Sequence, residues 1–285
     1  MNISIIIVSY NVKEYIISCI ESIYKHSKAR LSFEIIVIDN NSEDGSQIEL
    51  KNKFSKILLI ENDYNAGFSV AVNQGVNKSK GKYIFLLNPD TLFLEDTLFK
   101  LFQATEKNKK IGAIGPELVS EKGIRHQSFW RDPTLINTIL SITHLDFFNY
   151  KKNYKSTHFK YLKTVDTISG GAFFVSRKIF NKLNGLNAEL FWMEDIDFCI
   201  RLRKIGYKVY FFPLSKIIHF VGKSAKSNYK VAISNQLLSK IKFFKKNYSF
   251  SKYFIILSII FVVSLVKAIL FGIIAFFSEN NNRSH

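Results

Sequence analysis

Cysteine is nearly absent from this 285-residue chain: only Cys19 and Cys199 occur, both inside segments with helical spacing. Two such positions argue against a disulfide framework and fit a reducing compartment. The opening MNISIIIVSYN has no basic stretch and too short an apolar run for a secretory leader, so it reads as a first β-strand. Zinc-finger spacing, helix-turn-helix and RNA-binding signatures are missing, which argues against nucleic acid as a partner. No internal repeat occurs, and no low-complexity tract precedes the polar tail. Acidic residues are outnumbered, 23 Asp and Glu against 40 Lys and Arg, for a net charge of +17. Many of the lysines crowd the C-terminal third beside a long apolar run, so this charge suits an anionic membrane surface better than nucleic acid.

What is present begins with apolar mass: 47% of the residues are hydrophobic and 27 are Phe, enough for one sizeable domain with extensions. Apolar runs predict strands over 3–9, 33–38, 57–60, 82–87 and 111–118, alternating with helices over 12–26, 46–54, 68–79 and 95–108. That alternation implies βαβ units, a parallel sheet and right-handed crossovers. Residues 121–164, aromatic and basic without clear periodicity, read as an insertion or flap that includes Phe129, Trp130, Phe147 and Phe148. Beyond it come two strand pieces around Ser169-Gly170-Gly171 and a helix over 194–205 with Gly206 as its cap. A strand over 207–212 closed by Pro213 and a lysine-rich helix over 227–247 follow.

Residues 253–277 carry a single charge, Lys267, and 18 of the 25 are Ile, Leu, Val or Phe. As a helix this segment runs roughly 37 Å, against a hydrocarbon core of about 30 Å. Its apolar residues contribute about 0.3–0.6 kcal/mol each at the helix centre, which outweighs a cost of about 2.5–3.5 kcal/mol for one lysine. Lys240, Lys242, Lys245, Lys246 and Lys252 precede it and Arg283 follows, so the positive-inside rule keeps the N-terminal domain cytoplasmic. Lys267, near the middle, keeps a buried or interfacial helix open as the alternative.

The chemistry-bearing residues stand where strands end. The run Tyr-Ile-Phe-Leu-Leu stops at Asn88-Pro89-Asp90, because Pro89 has no N–H for the ladder. Asp90 is thereby left at the carboxyl edge of a buried strand, where open α/β sheets bind ligands and where a carboxylate suits a hard divalent cation. The same three residues are also good turn chemistry. Ser9, Tyr10 and Asn11 follow the first strand with an aromatic and an amide for a nucleobase, or simply start a helix. Asp39 leaves the second strand as an acceptor for a base N–H or ribose hydroxyl, or as a turn cap. Asn65-Ala66-Gly67-Phe68 forms a tight turn into a helix bearing Asn73, and Gly67 lets backbone approach a ligand. Glu194, Asp195 and Asp197 open a helix after Phe191-Trp192; the macrodipole favours acids there, and a carboxylate beneath Trp192 also suits a general base. Gly170 and Gly171 offer bare backbone to a substrate. His219 is either a core histidine or a second metal ligand beside Asp90.

Taken in order, SYN, IIVIDNNSEDGS, ENDYNAGFSVAVNQG, LLNPDT, SGGAFFVSR, FWMEDIDFCIRLRKIGY and His219 resemble the family 2 glycosyltransferases of bacterial polysaccharide synthesis, especially their rhamnosyltransferase-like branch. The resemblance covers about residues 2–222. It implies a GT-A fold, an α/β architecture with a Rossmann-like, mostly parallel central sheet flanked by helices. The nucleotide-binding half would span 1–119 and the acceptor half 120–226, followed by a basic juxtamembrane helix over 227–252, a membrane helix over 253–277 and a tail over 278–285. It implies inverting transfer from a nucleoside diphosphate-sugar, with dTDP-rhamnose-like or UDP-sugar donors, to a lipid-linked glycan at the cytoplasmic face of the bacterial inner membrane. Mg²⁺ or Mn²⁺ would be the cofactor. Carried over by position, Ser9, Tyr10, Asn11, Asp39, Asn65, Gly67, Phe68, Asn73, Asn88 and Asp90 would contact the donor, with Asp90 and His219 on the metal. Only the last acid of the family's Asp-x-Asp motif is kept. Asp195 would be the catalytic base, with Gly170, Gly171, Trp192 and Glu194 on the acceptor. A nucleotidyltransferase would instead show a Gly- and Lys/Arg-rich loop after the first strand. A non-catalytic, membrane-anchored subunit that binds nucleotide-sugar is the remaining alternative.

Overall fold

The computed structural model describes residues 1–28, 30–143, 145, 159–220 and 229–282. Its first half is the expected alternation: β1 (Ile3–Ser9), α1 (Lys13–His26), β2 (Phe33–Asp39), α2 (Ser46–Lys53), β3 (Leu58–Glu61), α3 (Phe68–Lys78) and β4 (Tyr83–Leu87). These four strands pair in parallel in the order β3-β2-β1-β4. Their side chains alternate between two apolar layers, as a pleat requires. Ile3, Ile5, Ile7, Val37 and Phe85 face Ile16, Cys19, Ile20 and Ile23 of α1, while Ile6, Ile36, Ile38 and Leu86 face Ala71, Val72 and Val76 of α3. Each fully buried Ile or Phe contributes about 1.5–3 kcal/mol, and both sheet faces are covered, which explains a central strand such as β4 with no charged residue.

The second half departs from that rhythm. After β4 come β5 (Thr91–Phe93), α4 (Thr97–Lys107), β6 (Ile111–Val119), β7 (Phe129–Trp130), α5 (Leu135–Ile142), β8 (Lys163–Val165), β9 (Thr167–Ile168) and β10 (Ala172–Ser176). The chain continues through α6 (Arg177–Lys182), α7 (Glu194–Lys204), β11 (Lys208–His219), α8 (Tyr229–Asn247) and α9 (Phe250–Asn282). β10 inserts antiparallel between β4 and β6, and β11 lies parallel to β6 on its far side, so the two halves share one mostly parallel sheet.

Two expectations change here. β11 does not close at Pro213. It passes the proline through a register shift between Phe212 and Lys216, held by Glu95 accepting the Lys216 N–H at 2.9 Å and Lys100 donating to the Leu214 carbonyl at 3.0 Å. The strand then runs to His219, whose partner is Thr91 of the short antiparallel β5. The described part of the flap over 121–164 also carries regular structure that its sequence does not announce. Phe129 pairs through β7 with Ile168 of β9 and its ring packs 4.5 Å from that of Phe211, so it belongs to the core. Phe147 and Phe148 lie outside the described residues.

A third apolar cluster joins α5, α7, α8 and α9 through Ile142, Leu190, Phe243, Phe244, Ile256 and Ile260, with Met193, Ile196 and Ile200 packed against it. Beyond it α9 is largely uncovered, with Phe261, Val262, Leu265, Val266, Ile269 and Leu270 exposed. The stretch Phe250–Leu270, 21 residues at a mean hydropathy of 2.6, is long and apolar enough to cross a membrane.

Candidate active site

The carboxyl edge of β4 is pinned from several sides. Asn88 donates its backbone N–H to the Gly171 carbonyl at 2.9 Å, and Thr91 Oγ1 donates to the Asn88 carbonyl at 2.8 Å. The Asp90 carbonyl accepts the Phe220 N–H at 3.0 Å, an extension of the β5–β11 pairing. That pairing brings His219 to Asp90: Nε2 lies 3.2 Å from Asp90 Oδ1 and 3.4 Å from Asn88 Nδ2. Asp90 and His219 are therefore neighbours, 129 positions apart in a 285-residue chain, because a three-residue strand no apolar run announced binds them together. Below the turn Cys19 Sγ sits 3.5 Å from Thr91 Oγ1, and burial pushes its thiol up to about 12, so it is an inert packing group.

Ser169-Gly170-Gly171 links this cluster to α7. Gly170 donates its N–H to Asp195 Oδ2 at 3.1 Å, and the Ile196 N–H is 2.8 Å from Oδ1. A side-chain carbon at Gly171 would stand 3.2 Å from Asn88 Nδ2 and 3.4 Å from His219 Cε1, so the bare backbone is what lets the loop lie against both. Burial raises Asp195 above the ordinary carboxylate range, opposed by the N–H groups of Gly170 and Ile196. Glu194 is raised as well, by burial first and then by the charge of Asp195, and its Oε2 is buried without a hydrogen-bond partner. Asp197, the third acid of the run, is not part of this pair. It is fully buried, accepts Arg201 Nε at 2.7 Å one turn on, and has Lys246 Nζ 3.2 Å away. Arg201 in turn donates to the carbonyls of Leu183 and Gly185, so Asp197 braces a turn.

On the nucleotide side the loops after β1 and β2 are cross-braced. Asn11 donates its N–H to Ser42 Oγ at 2.9 Å and accepts the Glu43 N–H at 2.8 Å, while Lys13 donates its N–H to Asp44 at 2.8 Å. Ser9 is buried with its hydroxyl unpartnered, and Tyr10 is half-buried beside it. Asp39 sits differently from the expected open carboxylate. It is fully buried, and its oxygens accept the Ser42 N–H, the Ser42 hydroxyl and Gln47 Nε2 at 2.7–2.8 Å, so it shapes the 39–47 loop. Asn65 is exposed and accepts the Gly67 N–H at 3.0 Å, and Gly67, at φ +80°, turns the chain into α3 against Phe191.

Two residues expected on the donor are engaged elsewhere. Asn73 bonds both ways to the backbone of Leu186, accepting its N–H at 3.0 Å and donating to its carbonyl at 2.9 Å, so its amide clamps the turn before α7. Phe68 packs against the apolar layer shared by α3 and α7. Sequence reading missed Ser239, on the lysine-rich α8, which accepts the N–H groups of Phe191 and Trp192 at 3.1 and 3.2 Å. No motif marks it.

Among the described residues no group of three His, Cys, Asp or Glu side chains could hold a metal by itself. One carboxylate oxygen and one imidazole nitrogen still fit a Mg²⁺ or Mn²⁺ ion whose remaining positions belong to water and phosphate, since Mg²⁺ is commonly bound through one or two carboxylates plus substrate phosphates.

The sequence profile described as Glycosyl transferase family 2 matches residues 4–183, and one described as N-terminal domain of galactosyltransferase matches residues 151–223. An uncharacterized glycosyltransferase of Haemophilus influenzae is 34% identical over 149 residues, 48% of this chain and 46% of that protein, so the match spans about half the length of that relative. The N-acetylglucosaminyl-diphospho-decaprenol L-rhamnosyltransferase of Mycobacterium tuberculosis is 23% identical over 203 residues, 65% of this chain and 66% of its own. Among solved structures, the mannosyltransferase PcManGT from Pyrobaculum calidifontis in complex with GDP-Man and Mn²⁺ superimposes with a TM-score of 0.60 at 17% identity, covering 90% of this chain and 68% of that one. Sheet order and sequence profile thus agree: with well over half of its length matched, this GT-A chain belongs to glycosyl transferase family 2.

Proposed function

We propose that this chain is an inverting glycosyltransferase that moves a sugar from a nucleoside diphosphate donor to a hydroxyl of a lipid-linked glycan at the membrane surface. The observation that carries the reading is the Ser169-Gly170-Gly171 bridge. It holds Asp195 through the Gly170 N–H and meets Asn88 and His219 through Gly171, so an acid suited to proton removal and a candidate diphosphate site share one short loop. Residues 1–119 form the nucleotide half, with Ser9, Tyr10, Asn11, Asn65 and Gly67 along its rim and Asp39 shaping the loop beneath. The acceptor half, 120–226, presents Gly170, Gly171, Trp192 and Glu194.

In this mechanism Asp90 and His219 would hold Mg²⁺ or Mn²⁺, which when bound would supply positive charge for the diphosphate leaving group. Asn88 Nδ2 stands 3.4 Å from His219 Nε2, at the rim of the same cluster. Asp195 takes the proton of the acceptor hydroxyl as that oxygen attacks the anomeric carbon from the face opposite the leaving group, so configuration inverts in one displacement. The Gly170 N–H holds Oδ2 in place during the transfer. Glu194, raised by burial, is protonated over more of the pH range than an ordinary carboxyl and can donate to an acceptor oxygen.

Donors of the dTDP-rhamnose or UDP-sugar class fit the relatives, one of which is named as a rhamnosyltransferase acting on a decaprenol-linked sugar. α9 anchors the domain in the inner membrane, with the α8 lysines on the cytoplasmic face. The test is donor hydrolysis and binding by the purified full chain across a panel of nucleotide sugars, with and without Mn²⁺ or Mg²⁺. Metal-dependent turnover of one donor is expected. A donor bound but never transferred to any acceptor would leave the non-catalytic subunit, and no donor bound with either metal would refute the reading.

A further inference from the structure

The segment that carries Trp192, Glu194 and Asp195 has no regular structure before α7 begins, and it enters that helix through Met193 in the left-handed region at φ +73°. Such a turn needs outside support to hold one geometry. One face of α8 supplies it. Ser239 accepts the N–H groups of Phe191 and Trp192 at 3.1 and 3.2 Å, and Lys242 Nζ donates to the Glu189 carbonyl at 3.1 Å. Phe243 packs with Leu190, and Lys246 reaches Asp197 at 3.2 Å. Positions 239, 242, 243 and 246 are three and four residues apart, so they share one helical face, and every one of them meets residues 189–197. Ser239 is 2% exposed, and a hydroxyl oxygen has two acceptor sites, both taken here by consecutive backbone N–H groups.

We propose that Ser239 is a positioning residue for the acceptor side of the site: its hydroxyl sets the Phe191–Trp192 turn and, through Met193, the start of α7 that bears Glu194 and Asp195. The functional part of this rests on the reading of those residues as the acceptor site; the structural part does not. The bonded N–H groups belong to the residues immediately before the left-handed turn, so their loss frees the backbone where it is most strained. Trp192, 41% exposed, then gains freedom, and the acceptor meets a less ordered surface. The donor cluster of Asn88, Asp90 and His219 lies at the β4–β5 turn and the end of β11 and keeps its geometry.

The variant is Ser239→Ala, which removes one oxygen and suits a helix interior. Kinetics are measured in the otherwise unchanged full chain. A several-fold rise in acceptor KM is expected, with donor affinity unchanged. Trp130 and Trp192 are the two tryptophans, so in a Trp130→Phe background the fluorescence of Trp192 reads the turn without any turnover. At least a doubling of its acrylamide quenching constant is expected for Ser239→Ala, and wild-type quenching for Ser239→Thr, which keeps the hydroxyl. Unchanged quenching in Ser239→Ala, or Ser239→Thr behaving like the alanine variant, overturns the proposal. So does a loss confined to donor affinity. If the wild-type protein transfers no sugar, the glycosyltransfer reading fails, while the quenching measurement still decides whether Ser239 holds the turn.

Discussion

Gly170 donates its backbone N–H to Asp195 Oδ2 at 3.1 Å, although 25 residues separate the two. A helix N-terminus favours carboxylates electrostatically, yet that alone leaves their direction open. The N–H of a neighbouring loop fixes it, and the next residue of that loop accepts the Asn88 N–H at 2.9 Å. The candidate proton acceptor and the candidate diphosphate site are thus set relative to each other by two adjacent residues.

From this follows the clearest separation of roles. Asp195→Asn keeps the size and the acceptor for Gly170 but removes the basicity. Sugar transfer is expected to fall by about 10²–10⁴-fold, the range of general-base contributions, with donor affinity by calorimetry unchanged. A parallel loss of donor affinity would move Asp195 out of the base role.

The opposite pattern belongs to the β5–β11 pair. Asp90→Ala and His219→Ala each remove one of the two adjacent groups proposed to hold the metal, so donor binding measured with Mn²⁺ is expected to weaken by about tenfold or more, about 1.4 kcal/mol. Without metal, variant and wild type should bind alike. Equal binding in the presence of Mn²⁺ would refute the assignment.

Burial raises both Glu194 and Asp195 above the ordinary carboxylate range. Asp195 must be ionised to take a proton, so transfer should fall as pH drops through a value above the ordinary carboxylate range. For stability, the folded state binds protons more tightly than the unfolded one, so stability is greatest below the ordinary values of 3.8 and 4.5 and declines as pH rises through the raised ones. Glu194→Gln should flatten that decline in urea unfolding between pH 5 and 8. An unaltered slope would show that Glu194 ionises freely.

Gly171→Ala probes the bridge itself. The new carbon would be 3.2 Å from Asn88 Nδ2, 3.3 Å from Ser169 Oγ and 3.4 Å from His219 Cε1, so side chains must give by a few tenths of an ångström. Donor affinity in Mn²⁺ should fall several-fold with the thermal midpoint little changed. An unaffected donor affinity would mean that the cluster tolerates displacement.

The parallel half was legible because its strands are buried on both faces and its helices show their apolar spacing in Ile16, Ile20 and Ile23. The candidates Asn88, Asp90, Gly170, Gly171 and Asp195 stand out as well, since each interrupts a pattern at a strand or helix end. His219 could be suspected, but its meeting with Asp90 depends on β5, three residues too short to leave a periodicity. Asp39 and Asn73 show where such reading stops: polar side chains at a sheet edge look alike whether they face a ligand or their own chain, and here they bond to Ser42, Gln47 and Leu186. Ser239 had no signal, because its partners are main-chain groups 47 and 48 residues away.

α9 separates two readings of the apolar tail. A core helix would be covered along its length, whereas here the cover ends near Ile260, and Phe261, Val262, Leu265, Val266, Ile269 and Leu270 face outward. Helix propensity does not explain such a surface in water, where each exposed Leu or Ile forgoes about 1.5–3 kcal/mol of burial. The full chain should therefore remain with the membrane fraction after alkaline carbonate washing and require detergent for release. Removing residues 261–282 leaves Ile256 and Ile260 on Phe243 and Phe244, so the domain should come off the membrane with its thermal midpoint nearly unchanged. Removing residues 250–282 uncovers that cluster too, and the midpoint should drop by several degrees. Release of the full chain by carbonate would make α9 a peripheral helix, and equal stability of the two truncations would show that the third cluster does not depend on it.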